Sequence, residues 1–448
     1  MRKISRYNHL KPWQNGFQIA YNALTGAVAL LKPGNIVTYK SIENKITSGI
    51  ENSFTPEEQK LLSQMEYAGF VYQDGKDEFE TLRNEHRATK HDTTSLGFVI
   101  APTMACNMAC QYCFEQNKRG RMSADTMGAI LSFIEKKMDG LTELSIGWYG
   151  GEPLLAMDII EKFTAAVFDL KKKHDFKYAS TMISNGYLLS KEVVDRLLEL
   201  KVSTVQVTLD GPSHTHNRKR PLKNGRPSFD TIVENIAYAS TKMGISVRVN
   251  IDKTYNYAMI AELLDELERA GLKERITLYF GLIEPATSVC GNIAESCFNN
   301  ADFSKVEVEY FRLLLERGFR IDKLPKPIIT FCVAQQVNGF VMDHEGNLYR
   351  CFNVIGDLSR SMGNIRNEID YNHPNFTEMF EFDPFENSQC PSCNILPICL
   401  GGCPARRMLR NLSEEEMCES WKHNLPEMLE IIALSRYNKL PSNIKEQA

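Results

Sequence analysis

The first 105 residues of the 448-residue chain contain no cysteine, although 12 cysteines follow them. The N-terminus lacks the apolar stretch of a secretory signal, and no window approaches the roughly 18 uninterrupted apolar residues of a membrane-spanning helix. We therefore expect a cytoplasmic protein with no membrane partner. Its 52 basic and 56 acidic residues nearly balance, which disfavours a nucleic-acid partner because such partners need a broad basic surface.

Composition limits the class of protein further. Hydrophobic residues make up 43% of the chain and charged residues 24%, values that are typical of globular proteins rather than disordered or collagen-like ones. At roughly 150 residues per domain, the length predicts about three domains, or one large barrel with appendages. Disulfides are rare in the cytosol, so the 12 cysteines indicate metal or redox chemistry.

Short apolar runs alternate with helical patterns in the middle of the chain. A complete eight-fold barrel typically needs about 250 residues, and only six strand–helix pairs are found, so the predicted fold class is α/β with a partial (β/α)6 TIM-like barrel. Ser123 and Ser190 precede periodic apolar residues and predict helix N-caps. The predicted parallel strands are 97–102, 144–149, 180–185, 204–209, 246–251 and 276–281.

The N-terminal residues predict a small unit of their own. A hairpin turns near Thr25, a helix begins at Thr55, and a strand returns over 69–73, before a polar linker with a helical pattern. The predicted division is an N-terminal domain with its linker, a barrel, a connecting helical segment and a cysteine-rich domain, over residues 1–91, 92–290, 291–330 and 331–448 respectively.

Three cysteines follow the first predicted strand directly. Cys106, Cys110 and Cys113, here called the first cysteine set, lie within eight residues. Iron–sulfur cubanes normally take four thiolates, so three would leave one iron open, as a catalytic metal requires. The alternatives are a zinc site with a fourth ligand from elsewhere and three buried thiols. The spacing favours a catalytic 4Fe–4S cluster.

Two motifs resemble those of the radical S-adenosylmethionine (radical SAM) enzymes. One is CNMACQYCFE around the first cysteine set, and the other is YGGEP over residues 149–153, after the second strand. The resemblance implies an oxidoreductase in which the open iron chelates S-adenosylmethionine. Transfer of one electron to its sulfonium then yields a 5′-deoxyadenosyl radical, so the cofactor itself carries the chemistry.

The resemblance also implies contacts to S-adenosylmethionine. The YGGEP loop, with Gly150, Gly151 and Glu152, would hold the methionyl amine through open backbone groups. Asp210-Gly211 with His216 and Arg220 resembles the family segment DGxxxxHDxxR, although Asn217 stands where the family often has Asp. Arg220 would pair with the cofactor carboxylate, which suits a guanidinium. The ribose is expected to contact Ser184 and Asn185. Tyr112 is expected to cover either the adenine or the cluster.

Seven C-terminal cysteines resemble the SPASM domain, which carries two auxiliary 4Fe–4S clusters in radical SAM enzymes that act on peptides. The resemblance implies an outer set of Cys390, Cys393, Cys399 and Cys418, and an inner set of Cys332, Cys351 and Cys403. The fourth ligand of the inner set is Cys290, Cys297 or none. The alternative is a zinc ribbon formed by Cys390, Cys393, Cys399 and Cys403, which leaves three cysteines without a role.

A SPASM domain implies a peptide or protein substrate. The N-terminal domain resembles a winged-helix peptide-recognition element, which could bind a leader segment by strand addition. The predicted function is therefore a maturase that takes a hydrogen atom from a ribosomally made precursor peptide and forms a thioether or carbon–carbon crosslink. Its expected electron donor is an external flavodoxin or ferredoxin.

Two other functions stay open. An anaerobic sulfatase-maturating, formylglycine-generating enzyme would share every cluster, and the N-terminal extension counts against it. A non-enzymatic iron–sulfur or zinc protein for electron transfer or scaffolding would leave S-adenosylmethionine intact. Glu284 and Asp343 are acidic residues near the predicted cavity, but the sequence identifies neither as the general base. The peptide, the bond formed and the oligomeric state also stay open.

Overall fold

The computed structural model describes residues 1–73, 75, 77–113, 115, 119–284, 295–410, 412–413 and 416–438. Within this part of the chain, a parallel sheet with helices on its outer side carries a smaller N-terminal unit and an irregular C-terminal region. None of the helices in the described ranges combines the length and the apolar character that crossing a bilayer requires.

The N-terminal unit contains two small antiparallel sheets, β1–β5 and β2–β3–β4. The predicted hairpin joins β3 to β4, and Thr55 forms a capping box with Glu58 at the start of α2. The elements are β1 (Arg2–Ile4), β2 (Asn8–Pro12), β3 (Gln18–Asn22), β4 (Val28–Leu31), α1 (Pro33–Thr47), α2 (Pro56–Ala68), β5 (Val71–Gln73) and α3 (Glu78–Lys90).

The six predicted strands are confirmed, each with bounds that agree to within three residues. All six pair in parallel in the order β11–β10–β9–β8–β7–β6. They are β6 (Ser95–Ile100), β7 (Glu143–Trp148), β8 (Lys177–Ser184), β9 (Val202–Thr208), β10 (Gly244–Ile251) and β11 (Thr277–Leu282). The helices are α4 (Ala124–Lys136), α5 (Met157–Lys173), α6 (Lys191–Glu199), α7 (Ser213–Lys219), α8 (Phe229–Ala239), α9 (Tyr257–Arg269) and α10 (Asn300–Glu316).

The C-terminal region extends the same sheet. Strand β12 (Gly339–Met342) pairs in parallel with β6, and β13 (Leu348–Tyr349) pairs antiparallel with β12. The described sheet therefore has eight strands, of which the last two come from the predicted cysteine-rich domain. The remaining helices are α11 (Pro374–Phe380), α12 (Leu396–Cys399), α13 (Pro404–Leu409) and α14 (Trp421–Asn438).

The N-terminal unit shares a core with the C-terminal region. Tyr7, Ile19 and Tyr21 pack in one buried cluster with residues of 395–400 and of α14. The predicted linker is helix α3, whose Arg87 pairs with Asp383 at 2.8 Å. The segment is thus a packed helix rather than a free connection, because its inner face covers apolar side chains.

Substitution of Phe340 tests whether β12 is part of the barrel core. Its ring is fully buried and lies 5.7 Å from Phe98 and 5.9 Å from Phe133. We expect Phe340→Ala to lower the free energy of unfolding by about 3–5 kcal/mol in a denaturant titration, because it opens a cavity between strand and helix. Leu358→Ala, at a site that is 65% exposed, should change it by about 0.5 kcal/mol or less. Equal small losses would contradict this packing.

Candidate active site

A cavity of about 400 Å³ lies where the parallel strands end. It brings together nine of the predicted cluster and cofactor residues, from four separate loops and strand ends. Glu152 and Asp210 are fully buried directly behind this wall. The residues lining the cavity from that prediction are Cys106, Cys110, Tyr112, Cys113, Gly150, Gly151, Ser184, Asn185 and Arg220.

The Gly150–Gly151 loop packs against the segment that leads into the first cysteine set. Gly151 N–H donates to the Thr103 carbonyl oxygen at 3.2 Å, and Glu152 N–H donates to the Ala105 carbonyl oxygen at 2.9 Å. A Cβ atom on Gly151 would lie 2.4 Å from the same Ala105 oxygen. Gly150 has a φ of +121°, which side chains rarely allow. The two glycines are therefore needed for this close approach.

The Glu152 carboxylate links the ends of two neighbouring strands. It accepts hydrogen bonds from Ser184 Oγ at 2.9 Å, from Asn185 N–H at 2.8 Å and from Leu154 N–H at 3.1 Å. Burial raises its pKa to about 6. Asn185 Nδ2 in turn donates to Asn107 Oδ1 at 2.7 Å. Glu152 thus fixes the two residues that are predicted to meet the ribose.

The phenol of Tyr112 is the centre of a second buried network. It donates to the Asp210 carboxylate and accepts from Arg220 Nη1 at 2.6 Å and from Asn250 Nδ2 at 3.1 Å. Burial holds the Tyr112 pKa well above its usual value. Asp210 also accepts from Asn250 N–H at 3.1 Å. The aromatic ring beside the first cysteine set is therefore held in place by residues at the ends of two strands, β9 and β10, and at the end of helix α7.

The two histidines of the DGxxxxHDxxR-like segment do not form a metal pair. His216 is buried, and its Nδ1 accepts from Asp210 N–H at 3.1 Å, while burial holds its pKa well below the usual value. His214 is exposed beside Glu262. Asn217, at the position where the resemblance departs, accepts from Ser228 and Phe229 N–H and so caps α8.

Several cavity residues were missed by the sequence reasoning. Their signal was present in part: polar side chains occupy alternate positions near the ends of β9 and β10, between buried apolar residues, and alternation places them on one face of the sheet. Gly281 leaves room for the Arg248 side chain, since a Cβ atom there would lie 2.5 Å from its Nε. The missed residues are Met108, Glu115, Ile183, Gln206, Thr208, Arg248, Asn250, Leu282, Ile283, Phe352 and Asn353.

The C-terminal thiols fall into two electrostatic groups. Burial raises the pKa of Cys351 to about 12, with further contributions from Cys403 and Cys332. Burial and the neighbouring Cys403 raise the pKa of Cys332 to about 11. Burial and the neighbouring thiols of the outer set likewise raise the pKa values of Cys390, Cys399 and Cys418. Among the described residues, no three Cys, His, Asp or Glu side chains are gathered around a single metal position.

The remaining candidates lie at different places. Cys290 falls outside the described residues, and Cys297 is buried beside a separate cavity that Glu284 also lines. Glu284 borders the main cavity, where its Oε1 accepts from Arg406 Nε at 3.0 Å and Arg410 Nη1 at 2.9 Å. Asp343 is not among the residues that line this cavity. It accepts from Tyr349 Oη at 2.9 Å and from Asn347 within a turn.

Comparison with known proteins identifies the central part of the chain. The Radical SAM superfamily model matches residues 100–267. The chain is 24% identical over 308 residues to the radical SAM cyclopropyl synthase TigE of Paramaledivibacter caminithermalis. This alignment covers 58% of this chain and 63% of TigE. The match thus spans less than two thirds of that relative's length.

Two further proteins are similar. The serine-type anaerobic sulfatase-maturating enzyme of Klebsiella aerogenes is 23% identical over 320 residues, covering 67% of this chain and 77% of that enzyme. The crystal structure of Streptococcus suis SuiB bound to precursor peptide SuiA superposes with a TM-score of 0.52 and 19% identity, covering 93% of this chain and 98% of SuiB. At this identity the likeness to SuiB shows a shared fold.

These matches exclude the non-enzymatic alternative. The family model begins at the last residue of β6 and so includes the first cysteine set, the YGGEP loop and the ends of β7 to β10, but not that of β11. The α/β sheet of the chain is the parallel sheet typical of that family's partial barrel. Residues 100–267 thus match the Radical SAM superfamily, and the chain is similar to TigE and to the sulfatase-maturating enzyme and shares its fold with SuiB.

Proposed function

We propose that the chain is a maturase of precursor peptides that forms a thioether or carbon–carbon crosslink. A single cavity supports this most directly, because its wall includes both the first cysteine set and residues next to Cys351 of the inner set. Phe352 lies there with its ring 5.4 Å from that of Tyr149. A substrate in this cavity would stand between the two sets of thiols.

The residues of the first cysteine set fit a 4Fe–4S cluster, because three thiols lie at one cavity wall and no fourth is needed there. With S-adenosylmethionine bound, such a cluster supplies a 5′-deoxyadenosyl radical. Gly150 and Gly151 would offer backbone oxygens to the methionyl amine, since the Gly151 N–H is already bonded. Arg220 would face the carboxylate, and Ser184 with Asn185 the ribose hydroxyls.

The C-terminal thiols support two auxiliary 4Fe–4S clusters. The grouping of Cys403 with Cys332 and Cys351 favours the inner and outer sets over a zinc ribbon, which would need Cys403 beside Cys390. Closing a bond after one hydrogen atom has left releases one further electron and one proton. A cluster held by the inner set would accept this electron, because residues next to Cys351 line the cavity. Residues 331–448 thus form the proposed SPASM domain, after the barrel (92–290) and connecting segment (291–330).

The N-terminal domain, residues 1–91, is proposed to bind the leader of the precursor. Among the described residues, the sheet order β2–β3–β4 leaves the outer edge of β4 without a partner strand. Asn22 N–H donates to the Ala27 carbonyl oxygen, and the register continues to Ala20 opposite Ala29. Because pairs alternate along an antiparallel ladder, Leu30 directs its N–H away from β3. Its edge can therefore accept an added strand.

A second candidate is maturation of a sulfatase, with formation of formylglycine. The similarity to the Klebsiella aerogenes enzyme over 67% of the chain favours it. The N-terminal extension of about 90 residues counts against it, because its open strand edge suits the binding of an extended leader segment. Incubation with a Cys- or Ser-containing sulfatase peptide decides between the two: formylglycine in the product would replace the crosslinking proposal.

Removal of the first cysteine set should abolish cofactor cleavage. We expect the Cys106→Ala, Cys110→Ala, Cys113→Ala triple variant to form no 5′-deoxyadenosine from S-adenosylmethionine with dithionite, while it retains about eight of about twelve irons. The matched variant with alanine at the three inner-set positions should keep the cleavage and lose about four irons. Cleavage in the first variant would overturn the assignment.

Glu152 should make stability depend on pH. Its pKa is about 6 in the folded chain against 4.5 as the reference, so the folded state binds this proton more tightly. The resulting stabilisation is complete below about pH 4.5 and is lost as the pH rises through about 6, a change of about 2 kcal/mol. Denaturant titrations of the apo-protein should show this difference between wild type and Glu152→Gln. Parallel pH profiles for the two proteins would contradict it.

Leu30→Pro should weaken leader binding because it removes the outward N–H of β4. For a precursor peptide encoded beside the gene, we expect about 5–10-fold weaker binding by fluorescence anisotropy. Leu30→Ala keeps the N–H and should bind as the wild type does. Both variants should cleave S-adenosylmethionine normally without peptide. Unchanged peptide binding by Leu30→Pro would rule out this strand edge.

A further inference from the structure

Arg350, the residue before Cys351, is a buried cation in the C-terminal region. Only 1% of its surface is exposed. Its guanidinium lies over the Phe376 ring, 4.3 Å from the ring centroid. Among the described residues, no carboxylate forms an ion pair with it. A buried charge without a partner is costly, so this cation needs compensation.

The partial compensation comes from backbone carbonyl groups. Arg350 Nη2 donates to the carbonyl oxygens of Ala334 at 2.6 Å and Gln336 at 2.8 Å, and Nη1 donates to that of Gly339. A Cβ atom on Gly339 would lie 2.4 Å from the Val333 oxygen. The short loop after Cys332 is thus wrapped around one guanidinium, which fixes the path of the chain from Cys332 to β12.

This arrangement connects two inner-set cysteines. Cys351 is the next residue in the chain, and Cys332 begins the loop that the guanidinium holds, with Gln335 N–H donating to the Cys332 carbonyl oxygen at 3.0 Å. Neutral carbonyl dipoles stabilise a cation but do not cancel its charge. A 4Fe–4S group on thiolates carries net negative charge, and it would supply the missing counter-charge at this place.

We infer that Arg350 is the positioning residue of the inner set: it orders the Cys332 loop for cluster binding, and its charge raises the reduction potential of the bound cluster. The inference rests on the proposed assignment of an auxiliary cluster to the inner set. A positive charge nearby stabilises the more negative reduced state, and charge and hydrogen bonding around a cluster are what set its potential.

The test uses the full chain with the first cysteine set replaced by alanine, so that only C-terminal clusters contribute signals. Arg350→Met removes the charge, Arg350→Lys keeps it without the planar fork, and Arg360→Met is the control, since Arg360 pairs at the surface with Glu378 at 3.1 Å. After anaerobic reconstitution, iron and sulfide content, iron loss to a chelator and the midpoint potentials by redox titration with electron paramagnetic resonance are measured.

We expect iron loss from the inner set to be about 10–100-fold faster in Arg350→Met than in the Arg360→Met control. The inner-set clusters that remain should have a more negative midpoint potential than those of the control. Arg350→Lys should keep the midpoint but lose iron faster than the control. If Arg350→Met fails to fold by circular dichroism, Arg350→Lys decides, and control-like iron loss in that variant overturns the inference.

The role of Arg350 and the cluster assignment can be overturned separately. Wild-type iron retention and midpoint in a folded Arg350→Met variant overturn the role of Arg350 and leave the cluster assignment intact. Unchanged iron content after replacement of Cys332, Cys351 and Cys403 by alanine overturns the cluster assignment itself, and the inference with it.

Discussion

The arrangement of the active-site wall depends on one buried carboxylate. Glu152 stands at the end of the YGGEP loop, and its two oxygens accept from the end of the next strand as well as from its own turn. Such an acceptor could not be replaced by water, because the site is fully buried. The positions of Ser184 and Asn185, and through Asn185 that of the loop of the first cysteine set, follow from this group.

A second constraint is the close packing of loops that carry different ligands. The glycine pair brings the second loop against the first, and Tyr112 then closes the opposite side through Asp210 and Arg220. Both contacts involve residues far apart in the chain, so the wall is assembled only when the barrel is complete. The cavity is therefore a property of the whole sheet rather than of any single motif.

The sequence was sufficient to predict the barrel, because its strands are apolar runs of regular length between capped helices. Each strand turns apolar residues toward a layer of helices. The same reasoning located the cavity residues that belong to short motifs. It did not find Arg248 or Asn250, whose polar alternation was visible, because no motif drew attention to it. It also could not predict the pairing of β12 with β6, since a four-residue strand gives little periodicity and its partner lies more than 230 positions away.

Helix α3 illustrates a further limit. Its polar sequence predicts a linker with a helical pattern, yet Leu82 and His86 are buried because both pack beside Phe385 of the C-terminal region. Long-range packing of this kind decides which face of a polar helix is buried. The buried face therefore cannot be predicted from local composition.

The pairing of β12 with β6 has a mechanical consequence. The loop of the first cysteine set leaves one strand of this ladder, and the inner-set cysteines flank the other strand on both sides. Pulling the two thiol sets apart would break backbone hydrogen bonds in the middle of a continuous sheet. Their separation is thus set once, when the chain folds, and electrons passing between the proposed clusters would cross the same gap in every turnover.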